Sequence, residues 1–244
     1  MKKIKSMVKE KSVRQFDQDV RDNKGYVYAN TEKLSNRYAN QCLQNSIREL
    51  IDLKGKRVVD LGSGDGTFTL EFLQDEPAYL LGLDASRAAV HLANQKAGRN
   101  KKVRFKVLDI YKVGSLRKKF DVAILRGVLH HLYDPERAIS AMTKIAQTII
   151  VVEPNGYNPV LKILEKFSKY HIEHEEKSFF PPVLDQWFEK HGGKVEKSGY
   201  RGLVPFFCPD WMAILLKTIE PLVERLPLLR ELTCAVYVFK VSVK

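Results

Sequence analysis

The stretch VVDLGSGDGTFTLEF, Val58–Phe72, decides the fold. Its first residues are continuously apolar, apart from Asp60, and read as a short buried strand. Gly62, Gly64 and Gly66 then compress the chain into a tight turn, and TFTLEF begins a helix. Glycines let backbone turn at positive φ and approach a ligand closely. Such a turn lies at the carboxyl edge of its strand, where open α/β sheets bind ligands.

The flanking sequence repeats the same alternation. Upstream, Tyr38, Cys42, Leu43, Ile47, Leu50 and Ile51 recur at helical spacing. Downstream, AYLLGLDAS, VRFKVLDI, FDVAILRG and TIIVVEPNG read as strands. Between them GTFTLEFLQ, RAAVHLANQKAG and DPERAISAMTKIAQ read as helices. Ser86 suits an N-cap, Gly98 a stop and Pro135 a first turn. Apolar strands separated by helices imply a parallel sheet covered on both faces. The expectation is an α/β fold with a doubly wound, seven-stranded, mostly parallel Rossmann-like sheet.

After Gly156 the alternation is interrupted. NPVLKILEKFSKYHIEHEE and PPVLDQWFEKHGG look helical, and KVEKSGYRG reads as a sixth strand. In FFCPDWMAILLKTIEPLVERLPLLREL the apolar residues follow one helical face, which Pro221 is expected to kink or split. TCAVYVFKVSV alternates as a terminal strand. The expected organisation is an arm or lid over residues 1–33 and one domain over 34–244. That domain carries helical insertions after strands five and six, at about 156–190 and 203–232.

The totals bound the class. A chain of 244 residues, 44% apolar, suits one α/β domain with additions. The basic N-terminus lacks the apolar run of a secretory signal, and no run of about 18 apolar residues implies a transmembrane helix. Cys42, Cys208 and Cys234 show no pattern, which suggests reduced thiols and a cytoplasmic protein, at most peripheral to a membrane. The net charge of +12 is uneven: residues 1–122 carry +10 and residues 123–244 carry +2. Basic clusters at Lys2–Lys11, Lys96–Lys106 and Arg117–Lys119 could attract an anionic partner, and a solvated surface has the same composition.

The turn discriminates among nucleotide ligands. A phosphate-binding P-loop requires Gly-Lys-Ser/Thr, which is missing. A dinucleotide turn reads GxGxxG and leaves the helix N-terminus to a pyrophosphate. Here the spacing is GxGxG, and Asp60 and Asp65 bring negative charge. Carboxylates repel a pyrophosphate but suit a ligand with a cationic amine and a sulfonium. Asp84 follows about 20 residues later, at the end of the next strand, where a carboxylate binds ribose hydroxyls. Asp109, followed by Ile110, ends the third strand and suits an adenine edge.

Together VVDLGSGDG, GLDAS, VLDI, FDVAILRGVLHHLYDP and IIVVEP resemble, in order and spacing, a class I (Rossmann-like) S-adenosylmethionine-dependent methyltransferase. The resemblance covers about residues 56–154. It implies S-adenosylmethionine as cofactor, held by Asp60, Gly62, Ser63, Gly64, Asp84, Ala85, Asp109 and Ile110. It also implies that the backbone at Arg126 and Gly127 closes over the cofactor. Tyr28 in the arm, with Tyr26 and Tyr38, could pack on a sulfonium.

The acceptor is constrained less. RGVLHHLYDPE replaces the Asn/Asp-Pro-Pro-aromatic motif of nucleobase amino methyltransferases, so that chemistry is disfavoured. Cys208 stands before Pro209 but follows strand six, out of place for a pyrimidine C5 nucleophile. O-methylation needs an aligned oxygen and, for a hydroxyl, a base. His131 and His130 at the end of strand four, and Glu153 at the end of strand five, are the candidates. Adjacent residues of a strand face opposite ways, so one histidine is expected to face the acceptor, His131 in preference to His130. No metal is expected: His171 and His174 of HIEH have i,i+3 helical spacing and HEEK adds acids, but no matching Asp/Asn pair accompanies them, and the segment reads as a helix face or pocket rim.

The leading expectation is O-methylation of a small molecule, a lipid- or glycan-linked intermediate, or a peptide carboxylate. The alternatives are an RNA methyltransferase using the basic half, although no OB, KH or RRM-like segment is visible, and a non-catalytic S-adenosylmethionine binder.

Overall fold

The computed structural model describes residues 13, 17–18, 20–22, 25–29, 32–116, 119–168 and 177–243. His171, His174 and the Lys2–Lys11 cluster lie outside the described residues. Helix α1 (Leu34–Leu50) leads into β1 (Arg57–Leu61), the glycine turn and α2 (Thr67–Glu71). β2 (Tyr79–Asp84), α3 (Arg87–Ala97), β3 (Val103–Val107), β4 (Phe120–Arg126), α4 (Pro135–Met142) and β5 (Ala146–Pro154) complete the alternating half. α5 (Pro159–Phe167) and α6 (Pro181–Lys190) precede β6 (Gly193–Arg201). α7 (Asp210–Val223) and α8 (Pro227–Thr233) precede β7 (Val236–Val243).

The sheet is seven-stranded in the order β3-β2-β1-β4-β5-β7-β6. β1 pairs in parallel with β2 and β4, and β7 runs antiparallel to both β5 and β6. This is the fold expected. Strand alternation feeds two cores. Val59, Leu61, Ala123 and Leu125 pack toward α4 and α6, against Ile139, Met142 and Phe188. Val58, Val122, Ile124 and Ile150 pack on the other face, against Ile47 of α1 and Ala93 of α3. Covering both faces explains why these strands read as unbroken apolar runs.

Local chemistry sets the ends. The Ser86 hydroxyl accepts the Ala89 N–H at 3.0 Å and caps α3 as expected. Gly66 (φ 76) leads into α2, and a Cβ there would stand 2.8 Å from Phe105 and 2.9 Å from Ala93. The residue must therefore be glycine for conformation and for space.

Three elements differ from the sequence expectation. α2 is shorter, ending at Glu71 and tightening to a 3-10 turn over Phe72–Asp75 that buries Phe72. α4 stops at Met142, because the β-branched run that follows joins the sheet from Ala146. Pro221 lies inside α7 without splitting it. It is exposed and only Leu222 and Val223 follow it in the helix, so the lost bond to the Lys217 carbonyl leaves almost no helix beyond it to disrupt, and the break falls at Leu226 instead. Leu226 is extended (φ −93, ψ 109), as the residue before a proline prefers, and Pro227 opens α8.

The two insertions are clamped together by the asparagines of EPNGYN. Asn155 Nδ2 donates to the carbonyls of Glu231 (2.7 Å) and Cys234 (3.0 Å). Asn158 Nδ2 donates to those of Thr233 and Cys234, while its Oδ1 caps α5. α5 and α8 thus meet beside the carboxyl ends of β4 and β5.

Candidate active site

A cavity of about 1020 Å³ opens along the carboxyl edge of the parallel strands. It is lined by the turn residues Asp60, Gly62, Ser63 and Gly64, the strand-end residues Asp84, Ala85, Asp109, Ile110, Arg126 and Gly127, and Tyr28, His130, His131 and Glu153, whereas Tyr38 packs outside it beside Val204, Cys208 and Ala213.

The turn and the end of β2 are tied to each other. Asp84 Oδ2 accepts the Gly64 N–H at 2.9 Å and Oδ1 the Ser86 N–H at 2.8 Å. Each oxygen keeps a lone pair for a hydroxyl ligand. Burial pushes the Asp84 carboxyl above its ordinary range, opposed by those N–H groups. Asp60 is buried and accepts the Thr69 hydroxyl at 2.5 Å. Burial pushes it up to about 6, against the pull of Thr69 and Arg126. Both acids hold negative charge at a cost that a cationic ligand relieves.

Two observations test the fit to S-adenosylmethionine. Ser63 lines the cavity, and its buried hydroxyl has no protein partner. A Cβ on Gly64 (φ 52) would meet nothing within 4 Å, so the turn presents open space and bare backbone to the cavity. With Asp60 for an amine and Asp84 for ribose hydroxyls, the donor set fits the group.

Asp65 points the other way. It pairs with Lys96 at 2.7 Å and accepts the N–H groups of Thr67 (3.1 Å) and Tyr26 (3.2 Å). Burial raises its carboxyl, but Lys96 and Thr67 outweigh burial and hold it below the usual range. It fastens the arm to the turn. Asp17, also in the arm, accepts from the Ser86 hydroxyl and the Ala88 N–H.

Arg126 contributes a side chain as well as backbone. Its guanidinium lies 3.5 Å from the Phe68 ring centroid, and Nη2 donates to Asn40 Oδ1 at 2.5 Å. Burial lowers it to about 10, opposed by Glu71 and Asp60. Nη1 is buried without a partner in the protein. A buried guanidinium N–H beside an open cavity suits a carboxylate ligand.

Asn40 was not a candidate from the sequence, yet it joins three parts. Besides Arg126 it donates to the Tyr28 carbonyl at 2.8 Å. It belongs to a buried polar ladder on α1. Asn36 accepts the Phe207 N–H at 3.0 Å, and Gln44 donates to the Phe68 carbonyl at 3.0 Å. Polar residues at 36, 40 and 44, spaced by four inside an amphipathic helix, are the signal that could have found them. Tyr28 packs edge-on against Phe206, with ring centroids 5.0 Å apart. The arm and the second insertion therefore meet over the cavity.

The two histidines do not lie on strand four. β4 ends at Arg126, and Leu129–His131 form a 3-10 turn. Strand alternation therefore does not separate them, and their ring centroids are 3.9 Å apart. His130 is buried at 9% exposure and Glu153 at 1%. Glu153 Oε1 accepts the N–H groups of Val128 (2.8 Å) and Leu129 (2.7 Å). Oε2 accepts the N–H of His130 (3.2 Å) and meets its Nδ1 at 2.8 Å. With three backbone N–H groups already on it, the Glu153 side chain is placed to accept from Nδ1 of His130, the tautomer that leaves the lone pair on Nε2. His131 is half-buried at the cavity wall.

Among the described residues, Cys42, Glu220 and Glu224 approach as metal ligands could. They lie outside the cavity. Glu220 accepts the Leu203 N–H and pairs with Lys217, and Glu224 accepts the Gly202 N–H. Burial, then these acids, push the Cys42 thiol up to about 12. The cluster anchors the loop after β6.

Comparison with known proteins agrees with this geometry. Residues 52–192 match the family described as a methyltransferase domain. The ubiquinone biosynthesis O-methyltransferase of Coxiella burnetii is 31% identical over 94 residues, 38% of this chain and 40% of that protein. The tRNA U34 carboxymethyltransferase of Aliarcobacter butzleri is 25% identical over 155 residues, 61% of this chain and 50% of that protein. The chain thus spans half or less of the length of these curated relatives. The fold matches magnesium protoporphyrin IX methyltransferase from Synechocystis PCC 6803, crystallised with S-adenosylhomocysteine. The TM-score is 0.61 at 16% identity, covering 88% of this chain and 90% of that one.

Proposed function

The chain belongs to the methyltransferase-domain family, with the class I fold and S-adenosylmethionine as cofactor, and from that premise we propose that it methylates an oxygen of an apolar acceptor with His130 as general base. The observation that carries this reading is the composition of the cavity. One wall holds the carboxylates and bare backbone of the glycine turn. The other is built by the insertions, from Val160, Leu161, Leu164, Val204, Phe206 and Leu232. The Leu129–His131 turn also borders this space.

The roles follow from chemistry. Asp84 binds the ribose hydroxyls and Asp60 the cationic amine. Asp109 and Ile110 border the adenine, and the Ser63 hydroxyl and Arg126 Nη1 take the methionine carboxylate. Tyr28 and the arm cover this wall and exclude water. When bound, S-adenosylmethionine supplies an electrophilic methyl group, which an oxygen takes as the carbon–sulfur bond breaks. Nε2 of His130 accepts the proton of an acceptor hydroxyl, and Glu153 steadies the imidazolium that results. His131, the histidine favoured on sequence, is assigned to the acceptor wall. The O-methyltransferase relative supports oxygen as the target.

RNA methylation is a second reading, favoured by the +10 half and by the tRNA-directed relative. The apolar wall weighs against it. Incubating the protein with methyl-tritiated S-adenosylmethionine and separate organic and RNA extracts of source cells tests both readings. Label in the organic extract is expected, and label confined to RNA contradicts the proposal.

A further inference from the structure

The cavity mouth is surrounded by helices whose outer sides are apolar. Sixteen large hydrophobic side chains are exposed among the described residues, and thirteen of them lie on or beside α5, α7 and α8. So strong a concentration is not the single scatter normal on protein surfaces. Phe167 is 79% exposed, Leu228 77% and Trp211 68%. α5 buries no residue at all, although Val160, Ile163, Leu164 and Phe167 make one side of it apolar. Core burial therefore does not hold this helix; the Asn155 and Asn158 clamps do.

The face is continuous with the cavity. Val160, Leu164 and Leu232 line the cavity and are also exposed on the outside. An apolar acceptor could pass from whatever covers the face into the cavity without crossing water.

Charge selects among possible covers. A second copy seated on this face would bring its own exposed Lys166, Lys177 and Arg225 toward the same three groups, which opposes self-association through it. The exposed charged side chains along the three helices are Lys166, Arg225 and Asp210, and Lys177 stands exposed beside the mouth. Basic groups around an apolar face are the composition of helices that lie in an anionic lipid interface. No described helix is long and apolar enough to cross a membrane.

We propose that α5, α7 and α8 dock on an anionic lipid bilayer, with the cavity mouth turned toward the lipid. The acyl region receives Phe167, Leu228 and Trp211, while Lys166, Lys177 and Arg225 meet the headgroups. This goes beyond methyl transfer and does not depend on which acceptor atom is methylated.

The test is cosedimentation of the full chain with vesicles of equal parts phosphatidylglycerol and phosphatidylcholine. The protein is expected to bind these vesicles about tenfold more than phosphatidylcholine alone. Phe167→Asp and Leu228→Asp are expected to lower the bound fraction about tenfold, with melting temperature and S-adenosylhomocysteine binding unchanged. The chain has two tryptophans, so Trp187→Phe leaves Trp211 as the sole reporter, and its emission is expected to shift to the blue on anionic vesicles. Absence of cosedimentation, or binding that survives both substitutions, would overturn the proposal. So would a dimer in solution that the same substitutions split, because the face would then belong to a second copy.

Discussion

Glu153 Oε2 lies 2.8 Å from Nδ1 of His130, while the same carboxylate takes three backbone N–H groups from the turn after β4. One side chain at the end of β5 thus shapes the neighbouring turn and meets Nδ1 of His130. Positioning and chemistry are coupled through it, and substitutions can separate them.

His130→Gln is expected to reduce methyl transfer about 10²- to 10³-fold, the range of a lost general base, with S-adenosylhomocysteine affinity changed less than about threefold. His131→Gln is expected to cost less than about tenfold. Single-turnover transfer of tritiated methyl to the labelled organic fraction gives both rates. A His130→Gln rate equal to that of the parent removes the residue from the mechanism.

Glu153→Gln keeps the volume but turns an amide NH₂ toward the N–H and Nδ1 of His130. Two buried donors then lose their acceptor, at about 1–3 kcal/mol each. Urea unfolding is expected to show a loss of about 2–5 kcal/mol with an unchanged m-value. A loss below about 0.5 kcal/mol would mean that the turn does not depend on this carboxylate.

Asn40→Ala removes the amide N–H from the Tyr28 carbonyl and the Oδ1 acceptor from Arg126 Nη2. The expected effect is a five- to tenfold weaker S-adenosylhomocysteine affinity, roughly 1 kcal/mol, and faster proteolysis within the arm. Affinity unchanged together with an unchanged cleavage pattern would contradict the role of Asn40 as the joint between arm and site.

Asp60 supplies a pH dependence. Its carboxyl is pushed up to about 6, chiefly by burial, against an ordinary value of 3.8. A carboxyl that holds its proton more tightly when folded penalises the folded state above that pKa. The penalty, about 3 kcal/mol at neutral pH, fades as pH falls through 6 toward 3.8. A cationic amine at Asp60 favours the ionised form, so binding expels a proton. S-adenosylhomocysteine affinity is expected to rise from pH 5 to 7. Calorimetry near pH 6, in buffers of different ionisation enthalpy, is expected to show proton release that Asp60→Asn abolishes. Release that persists in Asp60→Asn would place the titrating group elsewhere.

Much of this was legible in the sequence. Apolar runs broken by caps and glycines locate the strands because both faces of a parallel sheet are buried. The GxGxG turn brings Asp60, Asp84 and Asp109 to one cavity because strand ends converge at one edge. Less legible was anything set by contacts distant in sequence. His130 and His131 looked like strand residues because VLHHL is apolar, but the Glu153 carboxylate gathers the N–H groups of that segment into a turn. The sequence does not show which histidine meets the acid. Asn40 was hidden because its partners, Tyr28 and Arg126, lie 12 and 86 residues away. Pro221 is a helix breaker by its chemistry, but its position in an exposed last turn decides the outcome.

The central claim is that the turn after β1 and the acid after β2 form an S-adenosylmethionine site. Titration calorimetry of S-adenosylhomocysteine into the parent and Asp84→Asn tests it most directly, with circular dichroism confirming that both are folded. The parent is expected to bind in the micromolar range, and Asp84→Asn at least about tenfold more weakly, as for the loss of a charged hydrogen-bond acceptor. No binding by the parent, or equal affinity in the two proteins, would contradict the assignment.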